Sequence, residues 1–421
     1  MRPVHAHRTT RDLRRENRAA VLRHLYFDGT ARRLDLAART GLSPATVGNV
    51  LSELLKDGIV IETGQLESDG GRPAVLVQVN PDYAAVLGVD VGETGTAIEL
   101  FDLNLRKLAT VEKPLRLPQG SPAALVAEIA KGVDEVIRKA GIAMQHVLGI
   151  GVGVPGVVVH DGEEYVHAPS LGWDRIPLLQ LLQAGLPAPV VLDNGAKTMG
   201  QAEMWFGAGR DARNLVVVLL GTGVGAALFN DGRLYRGSTF SAGEWGHTCV
   251  VVGGRRCRCG ASGCLEAYVG AEAILQRWAQ RSRQRLPVEK DQHHLLRDLL
   301  AAAEGSKQAA AVLDETAEIL GAGVANLVNL LNPETIVIGG WVAELLGPRL
   351  LPRIKQTATA QALRYPVSRV AIELGRIGSD AVAMGAATLV IEQFLTSGGR
   401  SRVGLASQPI GQPIRSAGSS G

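Results

Sequence analysis

The chain has 421 residues, 46% of them hydrophobic, and a formal net charge of +3. This length exceeds one ordinary domain, and the composition is that of a globular chain with a substantial core. The longest apolar run begins at Val216 and is broken by three glycines, and the arginine-containing N-terminus lacks a continuous apolar stretch. The sequence therefore predicts neither a membrane span nor a secretory signal, and it favours a cytoplasmic protein.

The positive charge is concentrated at the N-terminus. Residues 1–33 contain nine arginines and three acidic residues, which gives this segment a net charge of +6 and leaves −3 for the rest of the chain. A basic end on a nearly neutral body favours a polyanionic partner, although a solvated arm would have the same composition.

Three helical patterns occupy the first 60 residues. The first runs from Asn17 to Asp28, and a second, short one stops at Gly41. Before the third, Ser43 is a suitable N-cap and Pro44 fits the first helical position. The third pattern has a buried stripe of apolar residues at helical spacing, namely Val47, Val50, Leu51 and Leu54. Two short helices joined at a glycine are typical of a helix-turn-helix.

The outward face of the third helix carries candidate DNA contacts. Asn49 could form a paired hydrogen bond to an adenine edge, and Thr46 could contact a base or a phosphate. After Gly58, two β-rich runs surround a loop with Arg72, a pattern that predicts a wing suited to the minor groove or a phosphate. A three-helix packing module without a ligand is the alternative. We predict that residues 1–80 form a winged helix-turn-helix domain that binds DNA through Ser43, Ala45, Thr46, Asn49 and Arg72.

Two later stretches share one pattern of strand, glycine turn and strand. AAVLGVDVGETGTAIELFDLN begins at Ala84, and LVVVLLGTGVGAALFNDGRLYRG begins at Leu215. This repetition predicts an internally duplicated α/β fold with two related lobes. Such turns bring backbone N–H groups close to a phosphate, although glycines also serve ordinary hairpins. Neither turn is a Walker A loop or a dinucleotide-binding fingerprint.

The segment VVLDNGAKTMGQAE, at residues 190–203, predicts a strand followed by a helix. Asp193 and Asn194 would stand at the carboxyl end of that strand, where open α/β sheets bind ligands. The segment therefore predicts the floor of a binding site.

The most specific stretch is GEWGHTCVVVGGRRCRCGASGCLEAY, which begins at Gly243. Three of its cysteines fall within eight residues, and a histidine lies ten residues before the first of them. One imidazole and three thiolates complete a tetrahedral zinc site without an open position, which indicates a structural metal. We predict a site formed by His247, Cys257, Cys259 and Cys264, with three unpaired buried thiols as the alternative. Cys249 is interpreted as a small core residue.

Taken in order, the motifs GVDVG, GVGVPG at Gly151, NG at Asn194, GTGVG, GEWGH, CRCGASGCLE and IVIGG at Ile336 resemble the ROK family of repressors, open reading frames and sugar kinases. The CxCGxxGCxE element is highly specific for that family, and the resemblance runs from residue 17 to residue 392. It implies an actin-like, RNase H-like body of the sugar-kinase type with two lobes, a sugar-binding cleft and zinc near the sugar. It also implies a homodimer or tetramer. Family repressors carry an N-terminal winged helix, which family kinases lack.

The resemblance implies four sugar contacts, namely Asn194, Glu244, His247 and Glu266. Amide, carboxylate and imidazole groups form directional hydrogen bonds with ring hydroxyls. His247 would bind zinc through one nitrogen and hold the other toward the sugar. For Glu244 and Glu266, a supporting or capping role is the alternative.

Compared with the family's kinases, the chain lacks groups that the reaction needs. Their aspartate base is replaced by Gly195, and Asp193 would lie about 7 Å from the required point, beyond hydrogen-bond reach. Glu93 replaces a glycine in the first phosphate loop, and Trp341 replaces a small residue near the adenosine. Asp90, which would help to position a metal-nucleotide, is retained.

These features favour a sugar-responsive transcription regulator that is not an enzyme. Residues 81–396 would bind a sugar or sugar phosphate, and the N-terminal domain would bind double-stranded operator DNA. Lys197 could favour an acidic or phosphorylated sugar, or it could simply be solvated. A sugar kinase with a DNA-binding head and a DNA-binding protein with a vestigial sugar site are the rival interpretations. Residues 397–421 are predicted to form a disordered tail.

Overall fold

The structure is a computed structural model that describes residues 9–66, 74–115, 121–161, 163–283, 285–287 and 291–400. The described part of residues 9–80, which we call the head, consists of α1 (Thr10–Asp28), β1 (Ala31–Arg32), α2 (Arg33–Thr40), α3 (Pro44–Lys56), β2 (Val60–Leu66) and β3 (Ala74–Val79). Its strands pair in the order β1-β3-β2. The predicted winged helix-turn-helix is therefore confirmed as a fold.

Local capping determines where the helices of the head begin and end. Gly41 ends α2 in the left-handed conformation, and the Ser43 hydroxyl accepts a hydrogen bond from the Thr46 backbone N–H at 3.1 Å at the start of α3. The first helix begins at Thr10, whereas hydrophobic spacing predicted a start at Asn17. The reason is a reciprocal capping box between Thr9 and Asp12, in a segment with too few apolar residues to show a helical stripe.

The rest of the chain, which we call the body, forms two lobes. The first lobe consists of β4 (Ala85–Val91), β5 (Gly95–Asp102), β6 (Lys107–Pro114), α4 (Pro122–Ala140), β7 (Val147–Val154), β8 (Val157–Asp161), β9 (Glu163–Ala168), β10 (Trp173–Ile176), α5 (Leu178–Gly185), β11 (Val190–Asn194) and α6 (Gly195–Phe206). The second lobe consists of β12 (Leu215–Leu220), β13 (Val224–Asn230), β14 (Arg233–Leu234), α7 (Glu266–Val269), α8 (Ala271–Ser282), α9 (Gln292–Ala302), α10 (Lys307–Leu331), β15 (Thr335–Gly339), α11 (Trp341–Gln361), α12 (Arg364–Val367) and β16 (Ala371–Leu374). The last helix, α13 (Ala381–Thr396), returns to the first lobe.

The main sheets of the two lobes have the same topology. Their strand orders are β6-β5-β4-β7-β11 and β14-β13-β12-β15-β16. In each sheet the first three strands are antiparallel, and the last two join in parallel. The predicted internal duplication is therefore confirmed. Among the helices of the described residues, none combines the length and the apolar character that a membrane crossing requires.

Helix α6 lies between the lobes, with β12 and β13 on one side and α13 on the other. At its contact with α13 two backbones nearly touch, because a Cβ atom on Gly385 would lie 1.8 Å from the Thr198 carbonyl oxygen. A Cβ atom on Gly151 of β7 would lie equally close, at 1.8 Å, to the Ala386 carbonyl oxygen. Only glycine fits at these two positions, so α13 lies flat against both the sheet and α6.

The head and the body share one hydrophobic core. Leu22 and Leu25 of α1 are buried in a cluster that also contains Phe101 of the first lobe and Phe394 of α13. Across the same boundary, Arg23 pairs with Glu392 at 2.9 Å. Packed side chains therefore cross the predicted domain boundary near residue 80.

The residues that follow α13 also lie against the head. The Arg18 side chain donates a hydrogen bond to the Gly398 carbonyl oxygen, and Gly399 packs beside Leu22 and Ile59. The first residues of the predicted tail are therefore attached to α1, while residues 401–421 lie outside the described residues.

An aromatic cluster joins α1 to the C-terminal end of α6. Tyr26 and Phe27 of the head meet Trp205 and Phe206 of the body edge to face. The Phe27 and Trp205 ring centroids are 4.8 Å apart. Such aromatic pairs contribute about 0.5–1.5 kcal/mol beyond the burial of their area. The cluster therefore ties the orientation of α1 to that of α6.

Candidate ligand cavity and metal centre

A cavity of about 870 Å³ lies between the two lobes. Its walls include the glycine turn at residues 92–95 in the first lobe and the turn at residues 221–225 in the second. This volume suits a small-molecule ligand. The structure brings all four predicted sugar contacts to the wall of this cavity, namely Asn194, Glu244, His247 and Glu266.

The floor of the cavity is the junction of β11 and α6, where the sequence predicted it. The Asn194 side-chain oxygen accepts hydrogen bonds from the backbone N–H groups of Ala196 at 2.9 Å and Lys197 at 3.1 Å. Its amide nitrogen donates to the Gly156 carbonyl oxygen at 2.7 Å. Asn194 therefore caps α6 and holds a neighbouring loop, so these bonds already use its polar atoms.

Asp193 does not line the cavity, because it forms a buried ion pair. The carboxylate is 1% exposed and accepts hydrogen bonds from Arg236 at 2.6 Å and from the Asn194 backbone N–H at 2.8 Å. Burial alone would raise the pKa of Asp193, but Arg236 and Lys197 bring it below its ordinary value. Because both oxygens of this ionised carboxylate already accept hydrogen bonds, Asp193 cannot act as the catalytic base that is missing at position 195.

Lys197 is also turned away from the cavity. It is 2% exposed, and its ammonium group donates to the Phe240 carbonyl oxygen. Burial lowers the pKa of Lys197, an effect that Asp193 opposes. Both interpretations of Lys197 from the sequence are wrong, because α6 directs the side chain into the protein and away from ligand and solvent.

Glu244 and His247 stand at the two ends of a short turn that leads into the cysteine-rich loop. Both line the cavity, and within the described part of the chain the Glu244 carboxylate has no hydrogen bond or ion pair. Burial raises the pKa of Glu244, an effect that His247 and Lys197 reduce. Glu244 therefore offers free acceptor positions to a ligand hydroxyl.

The four predicted metal ligands form one compact cluster. The ligand atoms of His247, Cys257, Cys259 and Cys264 all lie within 4.8 Å of one another. His247 Nδ1 is 3.7 Å from Cys257 Sγ, and the Sγ atoms of Cys259 and Cys264 are 3.8 Å apart. Two sulfur ligands on a tetrahedral zinc ion, each about 2.3 Å from the metal, would lie about 3.8 Å apart. The cluster therefore has the spacing that a bound metal requires.

The fourth cysteine, Cys249, is exposed, with its sulfur 4.0 Å from the Ser262 carbonyl oxygen. The prediction that Cys249 is a small core residue is therefore wrong. The cysteine-rich loop lies at the protein surface. Cys249, near its start, is therefore outside the hydrophobic core that covers the sheet.

Arg258 joins the two lobes across the cavity. Its Nε donates to Glu266 at 2.9 Å in the second lobe, and its Nη1 donates to Glu93 at 2.7 Å in the first lobe. The third nitrogen, Nη2, lies 3.3 Å from the second Glu266 oxygen. Glu266 also accepts a hydrogen bond from the Val224 backbone N–H at 2.9 Å. Glu266 therefore supports Arg258 and the second glycine turn, as its alternative interpretation proposed.

Two residues define the rest of the wall near the glycine turns. A Cβ atom on Gly221 would lie 3.3 Å from Trp341 Nε1, so the indole covers the second turn. The carboxyl group of Asp90, at the end of β4, has no hydrogen-bond partner among the described side chains and backbone groups. Burial raises the pKa of Asp90 to about 7. The wall therefore combines a bulky apolar group with a carboxyl that burial favours in its neutral form.

In the head, the predicted contacts on α3 share a solvent-facing side. Ser43, Ala45 and Asn49 are exposed, whereas Thr46 is half-buried with its hydroxyl 2.8 Å from that of Ser43. The Asn49 side chain makes no contact with another described polar group, so it can reach a base edge. Arg72 lies outside the described residues.

Sequence reasoning missed Arg258 as the centre of the ion-pair network. The available signal was its place between Cys257 and Cys259, because two metal ligands fix the backbone on both sides of the arginine. It also missed Arg236 as the partner of Asp193, since these residues are 43 positions apart in the chain.

Comparisons with known proteins agree with this architecture. The ROK family model matches residues 86–393. A xylose repressor from Caldicellulosiruptor bescii is 31% identical over 400 residues, 91% of this chain and 97% of the repressor. A glucokinase from Halalkalibacterium halodurans is 35% identical over 315 residues, 73% of this chain and 95% of the enzyme. The crystal structure of a ROK family transcriptional regulator, a homologue of the Escherichia coli MLC protein, superposes with a TM-score of 0.77 at 28% identity, over 92% of this chain and 98% of that one.

The raised pKa of Asp90 predicts a pH dependence of stability. Its ordinary value of 3.8 applies to the unfolded chain, and the folded value is about 7, so the folded state binds the additional proton between these values. Stability should therefore fall as pH rises from 4 to 7. Asp90→Asn should remove this loss and increase the free energy of unfolding at pH 8 by on the order of 4 kcal/mol, at about 1.4 kcal/mol per pKa unit. Urea unfolding at pH 5 and pH 8 would measure the effect.

Asp134→Asn is the control for this prediction, because it removes an equal charge from the exposed face of α4. An equal stabilisation by both substitutions at pH 8 would show that general charge, and not burial of Asp90, is responsible.

Proposed function

The chain belongs to the ROK family, and from this premise we propose that it is a sugar-responsive, DNA-binding transcription regulator. The observation that carries the proposal is the course of α6. The residues at its start form the floor of the ligand cavity, and its last two residues pack against α1 of the head. One helix of 12 residues, about 18 Å long, therefore reaches from the ligand space to the DNA-binding domain.

This connection gives a ligand a physical way to alter DNA binding. A ligand shifts an equilibrium only if it binds one arrangement better than another. A sugar that pulls the two lobes together would move α6, which touches both sheets, and the Trp205–Phe27 contact would carry that displacement to α1. The paired heads of a dimer would then change their spacing.

We assign the direct hydroxyl contacts to Glu244 and His247. The Glu244 carboxylate has unused acceptor positions, and His247 holds one nitrogen toward the cysteine cluster while its ring lines the cavity. Asn194 and Glu266 border the same space, but their polar atoms already make hydrogen bonds within the protein. Their contribution is to hold the floor and the glycine turn in place.

We propose zinc as the metal of the cysteine cluster. Thiolate and imidazole donors suit this borderline-soft ion, and four protein ligands leave no position for a reactive water. The metal would be structural, and it would hold the loop that carries His247 and Arg258. Metal binding and sugar binding would therefore be coupled through the orientation of His247.

We further propose that the body has no kinase activity. A sugar kinase needs a base near the reacting hydroxyl, whereas Gly195 has no side chain and Asp193 is paired with Arg236. Trp341 covers the second glycine turn, and the Glu93 carboxylate extends from the first turn to Arg258, beside Gly223 of the second turn. A kinase with a DNA-binding head, suggested by the glucokinase relative, is the second candidate function.

For DNA binding we propose a homodimer that places α3 of each head in the major groove. Two-fold symmetry then requires a roughly palindromic site with half-sites one or two helical turns apart. Full-length protein should enrich one such site from sheared genomic fragments, and one sugar of a panel should change its occupancy. Enrichment of no fragment would contradict the proposal.

Asn49→Ala provides a sharper test of the DNA-binding face. The loss of a paired contact to an adenine should weaken binding to the selected site by about 1–3 kcal/mol, as measured by fluorescence anisotropy. Gln361→Ala, an exposed amide of the body, should leave affinity unchanged. A point substitution is preferable to removing the head, because removal would expose the core shared by Leu22, Leu25 and Phe394.

The kinase alternative predicts sugar-dependent formation of ADP from MgATP. We expect no such activity from the native chain, and none from Gly195→Asp, because restoring the carboxylate leaves Trp341 over the second turn. A coupled ADP assay, with a glucokinase as positive control, would measure both proteins. Turnover by the native chain would favour the kinase interpretation.

Zinc binding predicts a difference between two cysteines. Purified protein should contain about one zinc ion per chain, and Cys259→Ser should lose most of it, as measured by elemental analysis. Cys249→Ser should retain it, because Cys249 lies outside the cluster. The metal-depleted protein should also bind sugar more weakly. An equal loss of zinc from both variants would contradict the assignment.

A further inference from the structure

The cavity contains one arginine among the described residues of its wall, and that arginine has no free charge to offer a ligand. All three guanidinium nitrogens of Arg258 lie within hydrogen-bond distance of carboxylate oxygens. Glu266 receives two of these contacts, and Glu93 receives one from across the cavity. An arginine whose charge is balanced by two carboxylates attracts a phosphate much less strongly than an unpaired one.

The remaining charges around the ligand space are mostly negative. Glu112 and Glu244 also line the cavity, and Glu244 forms no ion pair among the described residues, although the buried Lys197 acts electrostatically on it. The other cation of the wall is Lys113, whose ammonium group pairs with Glu135 at 2.8 Å. A phosphate ester carries a charge of about −1.5 to −2 at pH 7. A phosphate ester would therefore enter a cavity in which both cations of the wall are already paired with carboxylates, so its binding would be unfavourable.

Glu93 is the residue that completes this neutralisation. It lies in the glycine turn of the first lobe, its side chain is 17% exposed, and its oxygen is 2.7 Å from Arg258. Gly223 of the second lobe makes room for the group, because a Cβ atom there would lie 2.7 Å from Arg258 Nη2 and 3.8 Å from a Glu93 oxygen. The contact therefore depends on close approach of both turns to the guanidinium group.

From this arrangement we infer that Glu93 is a specificity residue that restricts the effector to uncharged sugars, by neutralising Arg258 and thereby excluding sugar phosphates. The inference rests on the proposed function, since it concerns the ligand of the same cavity. A hydroxyl needs only a hydrogen-bond donor or acceptor, which Glu244 and His247 supply. A phosphate can also bind backbone N–H groups of the glycine turns, but among so many carboxylates it gains most from a cation, and it could obtain the full charge of Arg258 only by displacing a carboxylate.

The test is titration calorimetry of full-length protein with D-glucose, N-acetyl-D-glucosamine, their 6-phosphates, D-xylose and inorganic phosphate. The native chain should bind at least one uncharged sugar and bind the corresponding phosphate at least about tenfold more weakly. Glu93→Gln leaves Arg258 with a single counterion. In this variant the ratio of the Kd of the sugar phosphate to that of the uncharged sugar should fall at least about tenfold, and binding of inorganic phosphate should become detectable.

Two variants separate the ion pair from charge in general and from side-chain shape. Glu112→Gln removes an equal charge from an exposed carboxylate of the same wall and should leave the discrimination within about threefold of native. Glu93→Asp keeps the negative charge, so this variant should still bind sugar phosphates more weakly than uncharged sugars. Equal effects of Glu93→Gln and Glu112→Gln would overturn the role of the ion pair.

The outcomes also distinguish this inference from the proposed function. Binding of a 6-phosphate as tightly as its parent sugar would overturn the inference while leaving a sugar-responsive regulator in place. Binding of no sugar and no phosphate by protein that still recognises its DNA site would contradict sugar sensing itself, and the inference with it. Urea unfolding would establish that each variant is folded.

Discussion

The contact between α13 and its neighbours determines how the other parts of the molecule are arranged. Because Gly151 and Gly385 have no side chains, the last helix lies directly on the first-lobe sheet and on α6. That contact holds α6 between the two lobes, so its start forms the cavity floor and its end meets the head. The residues after α13 and its own apolar face complete the core of the head. The close backbone packing of α13 against β7 and α6 therefore links the ligand cavity to the head.

Ion pairs are the second constraint on the site, because two of its charged groups, Asp193 and Arg258, are held by specific partners. Asp193 is satisfied by Arg236, and Arg258 is satisfied by Glu93 and Glu266. Unpaired charges are costly inside a protein, and breaking such a pair leaves its partner uncompensated. Among the described carboxyl groups that are buried in the cavity wall, pairing therefore leaves Glu244 and Asp90 with hydrogen-bonding capacity that is still available to a ligand. The position that a catalytic base would occupy is a glycine, and the nearest acid is already neutralised.

The sequence predicted those features that local chemistry determines. The turn at Gly41, the cap at Ser43, the two strand–turn–strand repeats and the metal-ligand spacing all depend on residues close together in the chain. The start of α1 was predicted too late because its signal is a capping box and not an apolar stripe. The prediction for Lys197 was wrong because its partner Phe240 lies in a distant segment, and the prediction for Cys249 was wrong because its exposure depends on the path of the whole cysteine-rich loop. The same reason explains why the network around Arg258, whose partner Glu93 is 165 residues away, could not be read from the chain.

The shared core of head and body has a consequence for the order of synthesis. The helices of the head leave the ribosome before the body does, yet Phe394, which completes their hydrophobic core, belongs to the last helix of the body. During translation a nascent head therefore lacks its permanent cover, although domains usually fold from the N-terminus as they emerge. A truncated chain that ends before α13 would leave Leu22 and Leu25 partly exposed to solvent. The head should therefore reach its full stability only after α13 has been made and has packed against it.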